Sequence, residues 1–241
     1  MFNNTELFCG DCLQMAQVFK AQNLQFDAII TDPPYNISKE NNFSTMRHKR
    51  QGVDFGTWDK NFDPCAWLHF YAPLVKKNGC IVIFCSYLYV SFIAQKLEIL
   101  GFDVKDVLRW EKTNPMPRNT NRRYVLDCEF ALWAIKKGGK WTFNKPENLP
   151  YLRAKFKTAV VSGSEKLGHP TQKSLKLMRK IIQIHTNPDD LICDPFMGSG
   201  TTGVACKELN RRFVGVELQE IFFKLAENRI GQIQTDTFCL T

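Results

Sequence analysis

The strongest constraint in this chain is a run of apolar residues that two consecutive prolines stop. Residues 26–30 are predicted to form a buried strand, and the run ends in Thr31-Asp32-Pro33-Pro34-Tyr35. Because proline has no backbone N–H, the end of this strand presents a carboxylate, carbonyl oxygens and an aromatic face. These acceptors suit a flat ligand that donates hydrogens, such as the amino group of a nucleobase. The same pattern is also typical of an ordinary strand-to-turn junction.

A second motif has the features of a cofactor-binding turn. A predicted strand at residues 191–194 is followed by a turn with Gly198 and Gly200 and by the start of a helix. The glycines allow the backbone to pass close to a ligand, and the free N–H groups of a helix start favour polar or anionic groups. The next predicted strand ends at Glu217, whose carboxylate is suited to accept both hydroxyls of a ribose. The motif therefore predicts a nucleoside-containing cofactor.

Two cofactor classes fit this second motif, a nicotinamide dinucleotide and S-adenosylmethionine. The first would place its pyrophosphate at the helix start, and the second would place its amino-acid portion there. The cluster from Asp32 to Tyr35 decides between them. Hydride transfer has no need of a stacked aromatic ring and carbonyl acceptors, whereas methylation of an amino group does. The two motifs together favour S-adenosylmethionine.

Predicted strands alternate with predicted helices along the whole chain. The strands lie at residues 7–9, 26–31, 80–85, 103–110, 129–136, 191–194 and 213–217, and the principal helices at 65–75, 90–100, 175–185, 201–209 and 220–230. This alternation predicts one α/β domain over residues 1–241 with a doubly wound, mostly parallel sheet. Two segments lack periodicity. We expect residues 38–59 to form a mobile loop, either a lid over the pocket or an arm that grips the substrate. Residues 137–168 are expected to form a basic, aromatic target-recognition insertion outside the sheet.

The charge of the chain favours an anionic partner. Lysine and arginine outnumber aspartate and glutamate by 32 to 24 among 241 residues, which gives a net charge of +8. Several basic clusters lie in the middle of the chain where loops are expected, so a nucleic-acid-binding face is predicted there. No apolar run reaches the roughly 18 residues that a membrane span needs. The first residues carry no basic segment of an export signal, and we expect a cytoplasmic protein.

Nine cysteines raise the question of a metal site or of disulfides. Cys9 and Cys12 have the separation of half a zinc site, but no second close pair of cysteines completes it. Without an export signal, reduced and mostly buried thiols are expected. The sequence predicts no metal ion.

Three motifs resemble those of the DNA amino-methyltransferases of the β group. They are Asp32-Pro33-Pro34-Tyr35, the segment at residues 169–174 with His169, Thr171 and Lys173, and the glycine-rich turn at residues 194–202. The order is that of the β group, with the catalytic motif first, a variable basic region next and the cofactor loop last. The resemblance spans residues 8–230 and is greatest to small bacterial adenine methyltransferases of restriction–modification systems.

The resemblance implies a Rossmann-like methyltransferase fold with seven strands, one of them reversed. It also implies a circular permutation that places the strand at residues 7–9 beside the strand ending at Glu217. The implied activity is transfer of a methyl group from S-adenosylmethionine to the exocyclic amino group of adenine in double-stranded DNA. Aspartate rather than serine before the two prolines favours adenine. The resemblance also implies a cognate restriction endonuclease as a partner and a second copy of the chain in a homodimer.

The resemblance assigns roles to individual residues. The catalytic residues are Asp32, Pro33, Pro34 and Tyr35, with the flipped adenine stacked on Tyr35 and its amino hydrogens accepted by Asp32 and the Pro33 carbonyl. Residues expected to contact the cofactor are Asp11, Cys12, Asp32, His169, Thr171, Phe196, Gly198, Ser199, Gly200, Thr201 and Glu217. Residues expected to contact DNA are Asn36, Arg47, Lys49, Arg50, Arg122, Arg123 and Lys140.

Some of these residues also have plain structural interpretations. Asp11 is placed to cap a helix, a role compatible with contacting the cofactor's adenine. Asn36 either orients the turn or approaches the target base. Lys173 is in reach of a carboxylate, but a solvated lysine at a helix start is the expectation that we favour.

Several other functions fit parts of the sequence. The acceptors at Asp32 also suit the amino group of cytosine, an RNA base or a protein side-chain amide. The glycine-rich turn alone permits an NAD-dependent oxidoreductase. The charge alone permits a nucleic-acid-binding module without catalysis, although the Asp32 motif argues against it.

Overall fold

A computed structural model describes residues 4–36, 62–117, 120–167 and 171–233. The strands are β1 Thr5–Cys9, β2 Phe26–Thr31, β3 Val75–Cys85, β4 Phe102–Lys112, β5 Cys128–Lys136, β6 Lys155–Thr158, β7 Leu191–Asp194 and β8 Arg212–Glu217. The α-helices are α1 Cys12–Ala21, α2 Leu68–Tyr71, α3 Val90–Ile99, α4 Leu175–His185, α5 Thr201–Glu208 and α6 Glu220–Gly231. The loop predicted at residues 38–59 lies outside the described residues.

The strands form one sheet in the order β1-β8-β7-β2-β3-β5-β4-β6. Neighbouring strands are parallel except at β5, which is antiparallel to both β3 and β4. The predicted α/β sheet with one reversed strand is therefore confirmed. The predicted permutation is also correct, because β1 pairs with β8 and places Cys9 opposite Glu217.

The predicted number of seven strands is wrong, because the described residues already form eight, with β6 as the outermost strand on one side of the sheet. It pairs in parallel with β4, with Lys112 opposite Thr158. The segment at residues 137–168 is therefore not wholly outside the sheet. β6 has only four residues, of which Phe156 and Thr158 are buried. An alternation of exposed and buried residues this short is not recognisable in the sequence.

The apolar side chains of the sheet alternate between two buried layers. In β2, Ala28 and Ile30 belong to the layer that packs against α4, α5 and α6, whereas Ile29 belongs to the layer covered by α1, α2 and α3. A strand buried on both faces needs apolar residues at successive positions, which explains the continuous run in the sequence. Within the described ranges, no helix is both long and apolar enough to cross a membrane.

The helix predicted at residues 65–75 is much shorter in the structure. Only α2 and a 3₁₀ turn at Ala72–Leu74 are helical, and β3 already begins at Val75. Gly79 lies inside β3, where a Cβ would come within 2.8 Å of the Asp27 carbonyl oxygen. The close approach of β3 to β2 therefore overrides the local helical pattern.

The order of the strands reverses between the neighbouring strands β2 and β7. From β2 the chain continues to β3 on one side, and from β7 it continues to β8 on the other. Parallel sheets bind ligands in the crevice at the carboxyl ends of the strands at such a switch point. Asp32 follows β2 and the glycine-rich turn follows β7, so the topology brings both sequence motifs to this crevice.

We expect Gly215→Ala to lower the free energy of unfolding by about 1–3 kcal/mol through overpacking. A Cβ at this position of β8 would lie 2.4 Å from Met197 Sδ and 2.7 Å from Phe213 Cε1. Gly231→Ala is the matched control, because nothing lies within 4 Å of a Cβ there. Urea unfolding measures both variants, and equal stability of the two would contradict the packing argument.

Candidate active site

A cavity of about 250 Å³ opens at the carboxyl ends of β2, β7 and β8. Asp32, Pro33, Pro34 and Tyr35 line one side of it, and the turn that contains Gly198 lines the other. The strand-end acceptors and the glycine-rich turn therefore face the same space. This shared cavity is the geometric condition that the two motifs need in order to act on one pair of ligands.

Asp194, at the end of β7, ties the two central strands to the helix that follows the turn. Its carboxylate accepts hydrogen bonds from Thr31 Oγ1 at 2.6 Å, from Thr202 Oγ1 at 2.7 Å and from the Phe196 backbone N–H at 3.1 Å. Burial raises the pKa of Asp194 to about 6, although these three donors oppose the rise. Asp194 was not among the predicted site residues, and its role is to hold the ends of β2 and β7 in register.

Glu217 holds the glycine-rich turn from the end of β8. Its Oε2 accepts the Gly198 backbone N–H at 2.8 Å, and its Oε1 accepts the Gln219 N–H at 2.9 Å. The carboxylate lines the cavity and keeps lone pairs for further donors. Burial raises the pKa of Glu217, with the backbone donors opposing it.

Most residues predicted to contact the cofactor line the cavity. They are Asp11, Cys12, Asp32, Thr171, Phe196, Gly198, Ser199, Thr201 and Glu217. His169 lies outside the described residues. Asp11 also caps α1, since its Oδ1 accepts the N–H groups of Leu13 and Gln14 at 2.8 and 3.0 Å, so both interpretations of this residue are compatible.

Gly200 lies behind the turn instead of facing the cavity. It has a φ of +76°, and a Cβ would come within 2.9 Å of Ala226 Cβ on α6. The left-handed backbone and the close approach of α6 both require glycine here. Gly200 is not among the residues that line the cavity, and its contact with the cofactor stays a prediction.

The cavity also has apolar walls that sequence reasoning missed. Phe62, Met178, Leu218 and Phe222 line it. Phe196 packs edge-to-face against Phe62 and Trp67, with ring centroids 5.5 and 5.4 Å apart. An isolated phenylalanine after a polar segment carries no signal of this role, because its position depends on the tertiary fold.

Asn36 fixes the turn that follows Asp32. Its backbone is left-handed with a φ of +54°, and its side-chain Oδ1 accepts the Phe62 N–H at 2.8 Å. Its Nδ2 also donates to the Phe62 carbonyl. Of the two interpretations of Asn36, the geometry matches the one in which it orients the turn.

Lys173 is buried beside Asp32, and the expectation of a solvated lysine is wrong. Its ammonium donates to Asp32 Oδ2 at 2.5 Å and lies 3.1 Å from Glu129 Oε2. The Tyr35 hydroxyl donates to the other Asp32 oxygen at 2.7 Å. Lys112 in turn pairs with Glu129 at 2.6 Å. Sequence reasoning missed Glu129 and Lys112, since neither belongs to a recognisable motif.

The charges in this group balance two carboxylates against two ammonium groups. Burial raises the pKa of Asp32, and the charge of Lys173 only partly offsets it. Burial opposes ionisation of Glu129, yet Lys173 and Lys112 together hold its pKa below the ordinary value. Burial also works against the charge of Lys173, but the two carboxylates raise its pKa. Burial raises the pKa of Tyr35, which therefore remains a hydroxyl donor.

The predicted DNA contacts lie at the two opposite ends of the strands, which are called the two edges of the sheet here. Arg122 and Arg123 are exposed in the connection from β4 to β5, which lies at the same edge as Asp32. Lys140 follows β5 and lies at the opposite edge, where its N–H donates to Asn78 Oδ1 near the start of β3. The part of β3 from Asn78 to Cys85 separates these two ends by roughly 23 Å. Arg47, Lys49 and Arg50 lie outside the described residues.

No metal site accompanies this constellation. Among residues 4–36, 62–117, 120–167 and 171–233, no three side chains of His, Cys, Asp or Glu are grouped so that they could hold an ion.

This chain is similar to a known protein family and to individual relatives. Residues 26–228 match the model of a DNA methylase family, N6_N4_Mtase. The chain is 32% identical to the type II methyltransferase M2.MboI of Moraxella bovis over 246 residues, which cover 95% of this chain and 89% of that protein.

Two solved structures are also similar. The complex of M1.HpyAVI with SAM is 51% identical, with a TM-score of 0.79 over 94% of this chain and 98% of that one. The PvuII DNA methyltransferase, described as cytosine-N4-specific, has a TM-score of 0.69 over 98% of this chain and 90% of that one. At 15% identity, that second likeness shows the fold alone.

We expect Thr31→Val to destabilise the protein by about 1–3 kcal/mol, because it removes one donor from the buried carboxylate of Asp194. The hydrogen bond that is lost measures 2.6 Å. Thr31→Ser is the matched control, since it keeps the hydroxyl and removes only a methyl group. Urea unfolding at neutral pH separates the two, and an equal loss of stability in both would show that the hydrogen bond is not responsible.

Proposed function

This chain belongs to the N6/N4 DNA methylase family, and we propose that it transfers the methyl group of S-adenosylmethionine to N6 of adenine in double-stranded DNA. One observation carries the proposal: Asp32 and the Gly198 turn line the same cavity, so a hydrogen-bond acceptor for an amino group faces a seat for the cofactor. Aspartate in front of the two prolines supports adenine as the target. The 51% identity to a protein solved with SAM supports the cofactor.

The polar groups around the cavity fit the donors of S-adenosylmethionine. Glu217 offers lone pairs to the ribose hydroxyls, and Asp11 offers them to the amino group of the cofactor's adenine. The turn at Gly198 and Ser199 and the first residue of α5, Thr201, would hold the amino-acid portion. When bound, this cofactor supplies an electrophilic methyl group.

Asp32 and Pro33 prepare the target nitrogen. The lone pair of an exocyclic amino group is delocalised into the base and is a poor nucleophile. By accepting its two hydrogens, the Asp32 carboxylate and the Pro33 carbonyl oxygen draw the nitrogen towards a tetrahedral geometry and localise the lone pair. Asp32 also stabilises the positive charge that develops on the nitrogen. The remaining contribution is positioning, for which effective molarities of roughly 10⁵ M or more are available.

We expect Asp32→Asn to lower the rate of methyl transfer by about 10²–10³-fold, because a neutral amide oxygen is a weaker acceptor than a carboxylate and does not offset the developing positive charge. The rate is measured with labelled S-adenosylmethionine and duplex DNA, and mass spectrometry of the nucleosides identifies the product as N6-methyladenine. Asp103→Asn is the control, since Asp103 lies at the start of β4, far from the cavity. Full activity of Asp32→Asn would remove its catalytic role, and N4-methylcytosine as the product would refute adenine as the target.

We expect the double variant Arg122→Ala/Arg123→Ala to weaken DNA binding. If each arginine contacts one phosphate, the slope of log affinity against log salt should become less steep by about 1.8. These arginines lie at the edge of the sheet that bears Asp32. Lys137→Ala/Lys140→Ala removes the same charge from the opposite edge and is the matched control. Fluorescence anisotropy over a salt series compares them. Equal losses in the two double variants would mean that net charge, not a defined face, attracts DNA.

A further inference from the structure

Lys173 is buried at the wall of the cavity. Its side chain is 7% exposed, and its ammonium lies 2.5 Å from Asp32 Oδ2 and 3.1 Å from Glu129 Oε2. The rings of Tyr35 and Phe84 face the ammonium, with centroids 5.1 and 5.3 Å away. A buried charge is costly unless it is fully paired, so these groups behave as one electrostatic unit.

We propose that Lys173 and Glu129 are positioning residues that act in opposite directions on the ionisation of Asp32, with Lys173 also fixing the orientation of its carboxylate. The inference rests on the proposed role of Asp32 as acceptor of the target amino group. It does not depend on whether adenine or cytosine carries that group.

The orientation of Asp32 follows from its two hydrogen bonds. Lys173 holds Oδ2 and the Tyr35 hydroxyl holds Oδ1, so the carboxylate is fixed at both oxygens. Each oxygen retains a second lone pair, which leaves an acceptor for an incoming amino group. A protonated Asp32 would carry a donor where an acceptor is needed, so the reaction requires the ionised form.

The charge of Asp32 depends on the competition for Lys173. Burial favours the neutral form of Asp32, and the adjacent ammonium is the principal opposing influence. Glu129 draws on the same ammonium and repels the second negative charge, while Lys112 pairs with Glu129 from β4. The titratable or charged groups that interact with Asp32 are Tyr35, Lys173, Glu129, Asp194 and Cys85, and Lys112 acts on it only through Glu129.

Removing the charge of Lys173 and removing the charge of Glu129 should therefore shift the acid limb of the pH–rate profile in opposite directions. Lys173→Met removes the favourable charge, and the limb should move to higher pH by roughly one to three units, so that activity lost at neutral pH returns at alkaline pH. Glu129→Gln removes the repulsion, and the limb should move to lower pH. Lys173→Arg keeps the charge and should keep the limb closer to that of the wild type.

The experiment measures single-turnover methyl transfer from saturating S-adenosylmethionine to saturating duplex DNA between pH 5 and 10. Thermal melting and cofactor affinity at each pH report whether a variant is folded. Lys112→Met provides a second route if Lys173→Met does not fold. Lys112 contacts Glu129 and not Asp32, so its loss leaves Glu129 freer to draw on Lys173 and should also move the limb upward.

Opposite shifts for Lys173→Met, or for Lys112→Met in its place, and for Glu129→Gln would support the inference. Unmoved limbs, or shifts in the same direction, would overturn it, because a merely structural role lowers the rate without separating the two variants. The nature of the methylated base is determined separately from the product. N4-methylcytosine would refute the proposed adenine target and leave the inference about Lys173 intact.

Discussion

The pairing of β2 with β7 is the interaction on which the rest of the structure depends. These strands lie side by side at the centre of the sheet, with Ala28 opposite Ile192. The hydrogen bond from Thr31 to Asp194 closes the pair at its carboxyl end, between residues 163 positions apart in the chain. Asp32 directly follows β2, and the turn with Gly198 follows β7. A shift in the register of the two strands would therefore separate Asp32 from that turn.

Asp32 belongs to a group of four charged side chains whose charges sum to zero. Asp32 and Glu129 carry the negative charges, and Lys173 and Lys112 carry the positive ones. A single buried carboxylate would take up a proton to avoid desolvation, and a single strongly paired one would bind its partner too firmly to serve a substrate. Here one ammonium is shared between two carboxylates: burial raises the pKa of Asp32, and Lys173 opposes that rise while it also pairs with Glu129.

The sequence predicts the fold better than it predicts the contacts at the site. Apolar runs and glycine-rich turns mark β2, β7 and the turn after β7, because these features are local. Lys173 and Asp194 were misjudged or missed, since no pattern in a single sequence shows which side chains meet after folding. Lys140 was grouped with Arg122 for the same reason, although the reversed direction of β5 carries it to the other edge. Local helix propensity at residues 65–75 was overridden by the approach of β3 to β2.

The order of the strands also has a consequence for synthesis on the ribosome. β2 finds one neighbour, β3, before the chain passes Cys85, but its other neighbour, β7, begins only at Leu191. At ordinary elongation rates this edge of β2 waits on the order of ten seconds with its backbone groups unpaired. The nascent chain therefore passes through a period in which an apolar strand edge is open to misplaced partners, and a chaperone that shields it would act in that interval.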